Sequence, residues 1–561
     1  MPHRPDEAPP GLVELRLLDG PNLYFPTATV KVVLDVTGPL HAPDLASWAA
    51  GLGRADERPG TPDSDLRRKA LLRVAATTTR ALAAAAGTGR LAVRARSGPG
   101  PAEVTVAFPW RRRERGRALG VALAAAFAGV PLDVAVAPVR SARGEASSTP
   151  RPRIPVVAVT GTNGKTTTTR LVAHMGRCAG RVVGWSNTDG VWVDGEVVEE
   201  GDWSGYGGAG RVLEDPAVTL AVLETARGGL LLRGFGAAWN DVSVVTNVSA
   251  DHLGLQGITT LDQLAEVKAI VPRSTRAGGW CVLNADDPRV LAMRSSSKGR
   301  PWAFSLDPDS PGLRAALDAG GRGCTLADGQ LAVVSGDWEV DELVPVVDVP
   351  MTLSGLSTHN LANALAGAAA GLAIGLPREA VVEGLRTFQP DAALNPGRLN
   401  LYDVSGAVVC LDLAHNEDSL AALLRVVHGL RVPGARVITV LGAAGDRDDD
   451  ALRALGHQAA HGSDLVVIGE KERYLRGRPR EAMTALFREG LAEGGMPEVD
   501  AFPDELSALQ AAVSRVHPGD VVAFMCHADR APCEDWLRSA GAVALTPAAV
   551  REMITKAAAR R

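Results

Sequence analysis

Lysine is what this chain most conspicuously lacks. Of 59 basic residues only seven are lysines, at positions 31, 69, 165, 268, 298, 471 and 556. Arginine carries positive charge almost everywhere else. A lysine that remains is therefore enriched for positions that need a primary amine or a compact ammonium. Cysteine is sparse too, with six residues at 178, 281, 324, 410, 526 and 533 and no CxxC spacing. That argues against a disulfide framework or a zinc ribbon and for reduced, packed thiols. Cys526-His527 with Cys533 is a faint metal-like patch without a second pair. No apolar run reaches the roughly eighteen residues of a membrane helix. The opening Met1-Pro2-His3-Arg4-Pro5-Asp6-Glu7 has no signal-peptide apolar stretch, so a cytoplasmic protein with no membrane partner is expected. The net charge is only −5, and no long basic stripe is present. The densest basic patch, Arg111 to Arg113 with Arg115 and Arg117, opens an apparent helix and reads as a solvated face. No nucleic-acid partner is expected.

The 561 residues suggest about three domains. Residues 1–145 show strand-like alternation at Leu12–Leu18 and Val30–Val36, an alanine-rich helix at Leu66–Ala86, strands near Leu91–Val93 and Val104–Phe108, and a helix at Glu114–Phe127. This is a small α+β domain, with a Ser-, Arg- and Pro-rich linker at 141–155. Residues 146–394 alternate buried strand runs (Val156–Val159, Val218–Leu223, Val242–Thr246, Trp280–Leu283) with helices at Leu261–Val271, Asn360–Ala373 and Arg378–Phe388. Residues 300–350 read as irregular, with a small β excursion. After Pro396-Gly397, residues 395–561 alternate again. The expected fold class is α/β: a doubly wound central domain with a P-loop, then a Rossmann-like domain without one.

Val159 to Thr169 reads V-T-G-T-N-G-K-T-T-T-T between a strand run and a helical pattern. A glycine-rich turn there aims backbone N–H groups and a helix dipole at one point, which suits a nucleoside triphosphate. The general P-loop has a glycine where Val159 stands, so this is a shorter form. Gly161, Thr162, Asn163, Gly164 and Thr167 would line the cradle, with Lys165 on the β/γ phosphates and the Thr166 hydroxyl on Mg²⁺. Glu224 ends an apolar strand run in A-V-L-E-T-A-R-G-G, where a Mg²⁺ ligand would project. His252 in S-A-D-H-L-G reads on chemistry alone as a polar turn residue, unless two ions serve the site. Lys268 is either a snorkelling surface lysine or a lysine near the metal whose amine adds CO₂ to become an anionic ligand. Asn360 and Asn363 share a helix face and read equally as adenine contacts or helix-start residues. Arg398, Asp412 with His415-Asn416, and Asp446-Arg447-Asp448 cluster at strand ends and turns, together resembling a ligand-facing rim.

These segments keep their order over roughly 400 residues and resemble the Mur ligase family, most closely the ligase half of cyanophycin synthetases. The matching stretches are G-T-N-G-K-T-T-T-T-R, D-G-V-W-V-D-G, A-V-L-E-T-A-R-G-G, V-V-T-N-V-S-A-D-H-L-G-L, V-L-N-A-D-D-P, H-N-L-A-N-A-L-A, P-G-R-L-N, D-L-A-H-N and G-D-R-D-D-D. The resemblance implies an ATP-dependent carboxylate–amine ligase working through an acyl phosphate, with two Mg²⁺ ions and an amino-acid or peptide substrate. It implies that Thr166, Glu224, His252 and Lys268 hold metal, with Lys268 carbamylated. Lys165 and Arg398 would contact phosphate, Asn360 and Asn363 adenine, and Asp412 and Asp446 the ribose side, with His415 also among the nucleotide contacts. L-D-G-P-N at 18–22 is similar to the opening of that family's N-terminal domain. The large ATP-grasp domain has no counterpart between that segment and the P-loop, so one bond type is expected rather than two. Leu413 and Glu417 stand where the family commonly has Tyr and Pro. A homo-oligomer and a separate enzyme supplying the acyl substrate are compatible with this reading. The competing readings are a catalytically inactive nucleotide-binding scaffold and a folylpolyglutamate type of ligase.

Overall fold

The computed structural model describes residues 9–41, 45–54, 57–58, 60–61, 64–147, 149–251 and 253–559. Three sheets organise them. The first holds β1 (Leu12–Leu18), β2 (Thr29–Asp35), β3 (Arg94–Ser97) and β4 (Glu103–Pro109) in the antiparallel order β1-β2-β4-β3. Helices Asp65–Ala85 and Arg113–Phe127 cover one face and enclose a core of small and branched residues such as Val30, Val32, Leu71, Val74, Phe108 and Leu123. The sequence placed β3 three residues early, at Leu91–Val93.

The second sheet carries the P-loop. Its strands are β5 (Val156–Thr160), β6 (Val183–Asn187), β7 (Gly190–Val193), β8 (Glu196–Glu200), β9 (Leu220–Glu224), β10 (Asn240–Val245), β11 (Thr275–Asn284), β12 (Arg300–Phe304), β13 (Arg322–Ala327), β14 (Gln330–Ser335) and β15 (Glu339–Pro345). The order is β15-β14-β13-β12-β11-β10-β5-β9-β6-β7-β8. From β13 to β6 every pairing is parallel, and antiparallel extensions close both edges. Strands β5, β9 and β10 are buried along their whole length, as central parallel strands covered on both faces must be. The P-loop helix (Lys165–Cys178) and the helix Thr358–Ala373 share one core beneath the sheet with Leu171, Met175, Leu361 and Leu365. The stretch 300–350 is more regular than its Gly and Asp turns suggest, because β12 to β15 extend the same sheet.

The third sheet contains β16 (Asn400–Val404), β17 (Ala407–Asp412), β18 (Val437–Leu441), β19 (Leu465–Gly469), β20 (Ala501–Phe502), β21 (Val521–Met525) and β22 (Val543–Ala544), ordered β20-β19-β18-β21-β17-β16-β22. Strands β17 to β21 run parallel, with apolar cores on both faces. The architecture is thus a P-loop doubly wound unit followed by a Rossmann-like one, preceded by a small α+β unit. Among the described residues no helix is long and apolar enough to cross a membrane. Of the six cysteines, all free, only Cys178 is exposed.

Candidate active site

The P-loop leaves β5 through Gly161 and enters its helix from Gly164, both at positive φ (+151° and +85°). A Cβ on Gly161 would lie 1.8 Å from Thr246 Oγ1, and one on Gly164 would lie 2.2 Å from Asn363 Oδ1. Only glycine fits either position, and the backbone is drawn into a tight cradle. Its outer wall is the turn after β10. Asn247 accepts from the Thr162 and Asn163 amides at 2.9 Å each, through its carbonyl and its side-chain oxygen, and Thr246 Oγ1 donates to Asn163 O at 2.6 Å. Lys165 Nζ lies folded onto Thr162 O at 2.8 Å.

Beside the cradle, Glu224 is 2% exposed at the end of β9. Thr166 Oγ1 donates to one carboxylate oxygen at 2.8 Å, and Thr188 Oγ1 donates to the other at 3.0 Å. No ion-pair partner of Glu224 is present among the described residues. A buried carboxylate with hydroxyl partners only is a set of hard oxygen donors suited to a divalent cation. Lys268 is 3% exposed, and its Nζ donates to Gly161 O at 2.6 Å. Burial, reinforced by Lys165, pushes its ammonium well below the ordinary lysine range. A surface snorkel is thereby excluded. The Lys268 helix (Leu261–Lys268) is set by a reciprocal cap between Thr260 and Gln263, so the lysine's placement is written into T-L-D-Q locally. His252 lies outside the described residues.

Asn360 and Asn363 sit behind the cradle, both buried. Asn360 Nδ2 donates to Met351 O, Asn363 Nδ2 donates to Asn360 Oδ1, and Asn363 Oδ1 accepts from Thr168 at 3.5 Å. These side chains thus link the turn at Met351, each other and the P-loop helix.

The third sheet turns the C-terminal ends of its strands toward this cradle. Asn416 Nδ2 donates to Asn163 Oδ1 at 3.1 Å. Asp251 is gripped by Arg447 at 3.2 Å and approached by His415 Nε2 at 3.7 Å, with Arg447 also paired to Asp446 at 3.0 Å. His415 Nδ1 donates to Leu413 O, which leaves Nε2 to face Asp251. Asp412 accepts from Leu399 N, and burial raises its carboxyl against the opposing pull of Arg398. The Arg398 guanidinium donates to Gly397 O at 3.2 Å.

The middle of the chain, residues 159–371, matches the Mur ligase middle domain, and residues 397–527 match the Mur ligase, glutamate ligase domain. The UDP-N-acetylmuramyl-tripeptide synthetase of Deinococcus radiodurans is 31% identical over 401 residues, covering 69% of this chain and 76% of that one. The chain belongs to the Mur ligase family. Cyanophycin synthetase of Geminocystis herdmanii is similar at 40% identity over 371 residues, 66% of this chain. The chain spans only 42% of that relative's length. Among solved structures, E. coli FolC in complex with DHPP and ADP shares the fold, with a TM-score of 0.50, 19% identity, and coverage of 70% of this chain and 90% of that one.

In this Mur ligase several residues reach the site that the motifs did not single out. Arg170, on the P-loop helix, is buried and pairs with Asp189 at 2.6 Å, and Arg530 approaches the same carboxylate from the third sheet at 3.4 Å. Burial, opposed by Asp189, lowers Arg170 to about 10. Asp251 and Arg447 lie inside the quoted motifs, Arg447 within the rim cluster 446–448, and the structure adds that they pair with each other. Lys471 is the other buried lysine, and it donates to Met525 O at 2.9 Å and contacts Glu505 at 2.7 Å and His527 Nδ1. The scarcity of lysine was a signal that could have found it. The Cys526 thiol lies 3.5 Å from Glu505 and Cys533 is fully buried, so the faint metal-like patch is a packed turn held by Glu505.

Proposed function

We propose that this protein joins a carboxylate to an amine at the expense of ATP, which leaves as ADP and phosphate. The observation that carries the reading is the buried Glu224 carboxylate, bonded to the first hydroxyl of the P-loop helix, with the buried amine of Lys268 against the cradle's own backbone at Gly161. A nucleotide site alone needs the cradle. A buried acid and a buried amine on the phosphate side serve a reaction in which two anions must meet.

The cradle from Gly161 to Thr167 would hold the phosphates through backbone N–H groups, and Lys165 would swing from Thr162 O onto the γ-phosphate. Thr166, Glu224, His252 and a carbamylated Lys268 would hold two Mg²⁺ ions, whose chemistry is to neutralise charge as carboxylate and phosphate approach. A substrate carboxylate oxygen attacks the γ-phosphorus, the bond to ADP breaks, and an acyl phosphate forms. The amine then attacks the carbonyl carbon, loses a proton, and phosphate leaves in place of a much poorer hydroxide. Arg398 would steady the phosphate. Asn360 and Asn363 would act from behind, fixing the P-loop next to adenine, and Asp412, His415 and Asp446 would complete the nucleotide side. The similarity to cyanophycin synthetases and to a muramyl-tripeptide synthetase supports an amino-acid or peptide-like substrate.

A mass-spectrometric screen of amino acids and short acidic peptides with ATP and Mg²⁺ tests this. New amide products with matching phosphate release are expected. Nucleotide binding without any product would favour an inactive scaffold instead.

A further inference from the structure

The N-terminal unit lies outside both family matches, yet it is fused to the metal side of the site. One apolar cluster contains Leu18, Leu23, Tyr24 and Ala107 from the first sheet's unit together with Val248, Ile258, Leu264 and Val267. The last two belong to the Lys268 helix. Tyr24 is 7% exposed, its hydroxyl accepts from Arg96 at 3.1 Å, and the Arg96 guanidinium lies over its ring at 4.7 Å. Arg96 also faces Glu266, two residues before Lys268, at 3.8 Å. The β3–β4 turn presses on the loop that leads into that helix, since a Cβ on Gly257 would meet Pro99 at 3.1 Å.

A second docking point holds the other metal-side element. Asp19 N and Gly20 N both donate to Arg233 O, and Phe235 N donates to Pro21 O. The Asp19 carboxylate pairs with Arg233 and Arg113, each at 2.6 Å. Arg233 follows the short helix Arg227–Leu232, which starts three residues beyond Glu224. In the loop 253–258, Gly254, Gln256 and Gly257 are all at positive φ, Gly254 N donates to Ile258 O, Ile258 N donates to Leu255 O, and the Arg227 guanidinium donates to Leu255 O at 3.3 Å. The elements packed on such a loop contribute to its order.

We propose that the N-terminal unit is a positioning element of the site, seating the 253–258 loop and the Lys268 helix through Tyr24, Arg96 and Pro99 while Asp19 anchors the segment after Glu224. The reaction it serves is the one proposed above, whereas the seating holds independently of it. Hydrogen exchange on the full chain, read in peptides covering 253–268, tests it. Tyr24→Ala is expected to raise exchange there by roughly tenfold, and Tyr24→Phe to stay near the parent. The swap Arg96→Glu with Glu266→Arg guards against a misfolded Tyr24 variant: each single change loosens 261–268, and the double change restores protection. The Mg²⁺ concentration needed for half-maximal ADP binding should rise about threefold or more in Tyr24→Ala. Unchanged exchange in 253–268 with loosening confined to residues 12–35 and 94–109, or a swap without rescue, overturns the proposal. A parent chain that binds no Mg-ADP would sink the proposed function instead, and the exchange result would still decide the seating.

Discussion

Glu224 and Lys268 are each buried beside the backbone cradle, one bonded to Thr166 and the other to Gly161 O. Removing the charge of Glu224 while keeping its shape, as in Glu224→Gln, leaves both threonine bonds possible and takes away the anion. Phosphate release should fall on the order of a hundredfold or more, with the fold retained by circular dichroism. Lys268→Ala should abolish turnover, and short carboxylates such as acetate should restore part of it if the amine serves as a carbamate. Full activity in Lys268→Ala would refute that role. At this scale the sequence was most legible where one residue type was rare. With arginine supplying almost all the charge, Lys165 and Lys268 stood out before any fold was known, and the same logic reached Lys471 only once its Glu505 partner was visible. The Arg170–Asp189 pair was not legible for the opposite reason: an arginine among 51 others carries no signal of its partner until a carboxylate 19 positions away is seen to meet it.

Elements explain why the P-loop's spacing is strict. Gly164 combines a left-handed backbone with contact against Asn363, so Gly164→Ala adds strain of about 1–3 kcal/mol and displaces the asparagine. ADP affinity measured by calorimetry should drop by about tenfold or more. The helix carrying Asn363 also sets a pH limit. Burial, aided by repulsion from Arg425, holds His359 near 4 instead of 6.5. The native state keeps it neutral while the unfolded chain takes up a proton, so its contribution is complete above pH 6.5 and is lost as pH falls toward about 4. Denaturant midpoints for His359→Gln should therefore vary less with pH across that window than those of the parent. Buried parallel strands such as β5, β9 and β10 were legible as apolar runs. Strands β12 to β15 were not, because short Gly- and Asp-bearing turns break up the stretch, β13 to β15 fold as antiparallel hairpins, and the edge strand β15 is largely exposed, so the segment shares the composition of loops.

Across the whole molecule, the third sheet meets the P-loop through a few polar contacts: Asn416 to Asn163, Arg447 and His415 to Asp251, and Arg530 to Asp189. No single motif contains both halves of any of these pairs, so sequence alone could assemble the rim but not its docking. Arg447→Met removes one guanidinium from Asp251 and loosens the third sheet's unit from the cradle. Turnover should fall by about tenfold or more while ADP affinity changes little, because the cradle is built from the middle unit. Equal losses in both would place Arg447 on the nucleotide. The most direct measurement of the central claim is phosphate release from ATP across a matrix of acids and amines, with the acid's carboxylate labelled with ¹⁸O. Carboxylate attack on the γ-phosphorus requires phosphate to appear only when acid and amine are both present, with one ¹⁸O carried in each phosphate. Release indifferent to acid and amine, or phosphate without label, would contradict it.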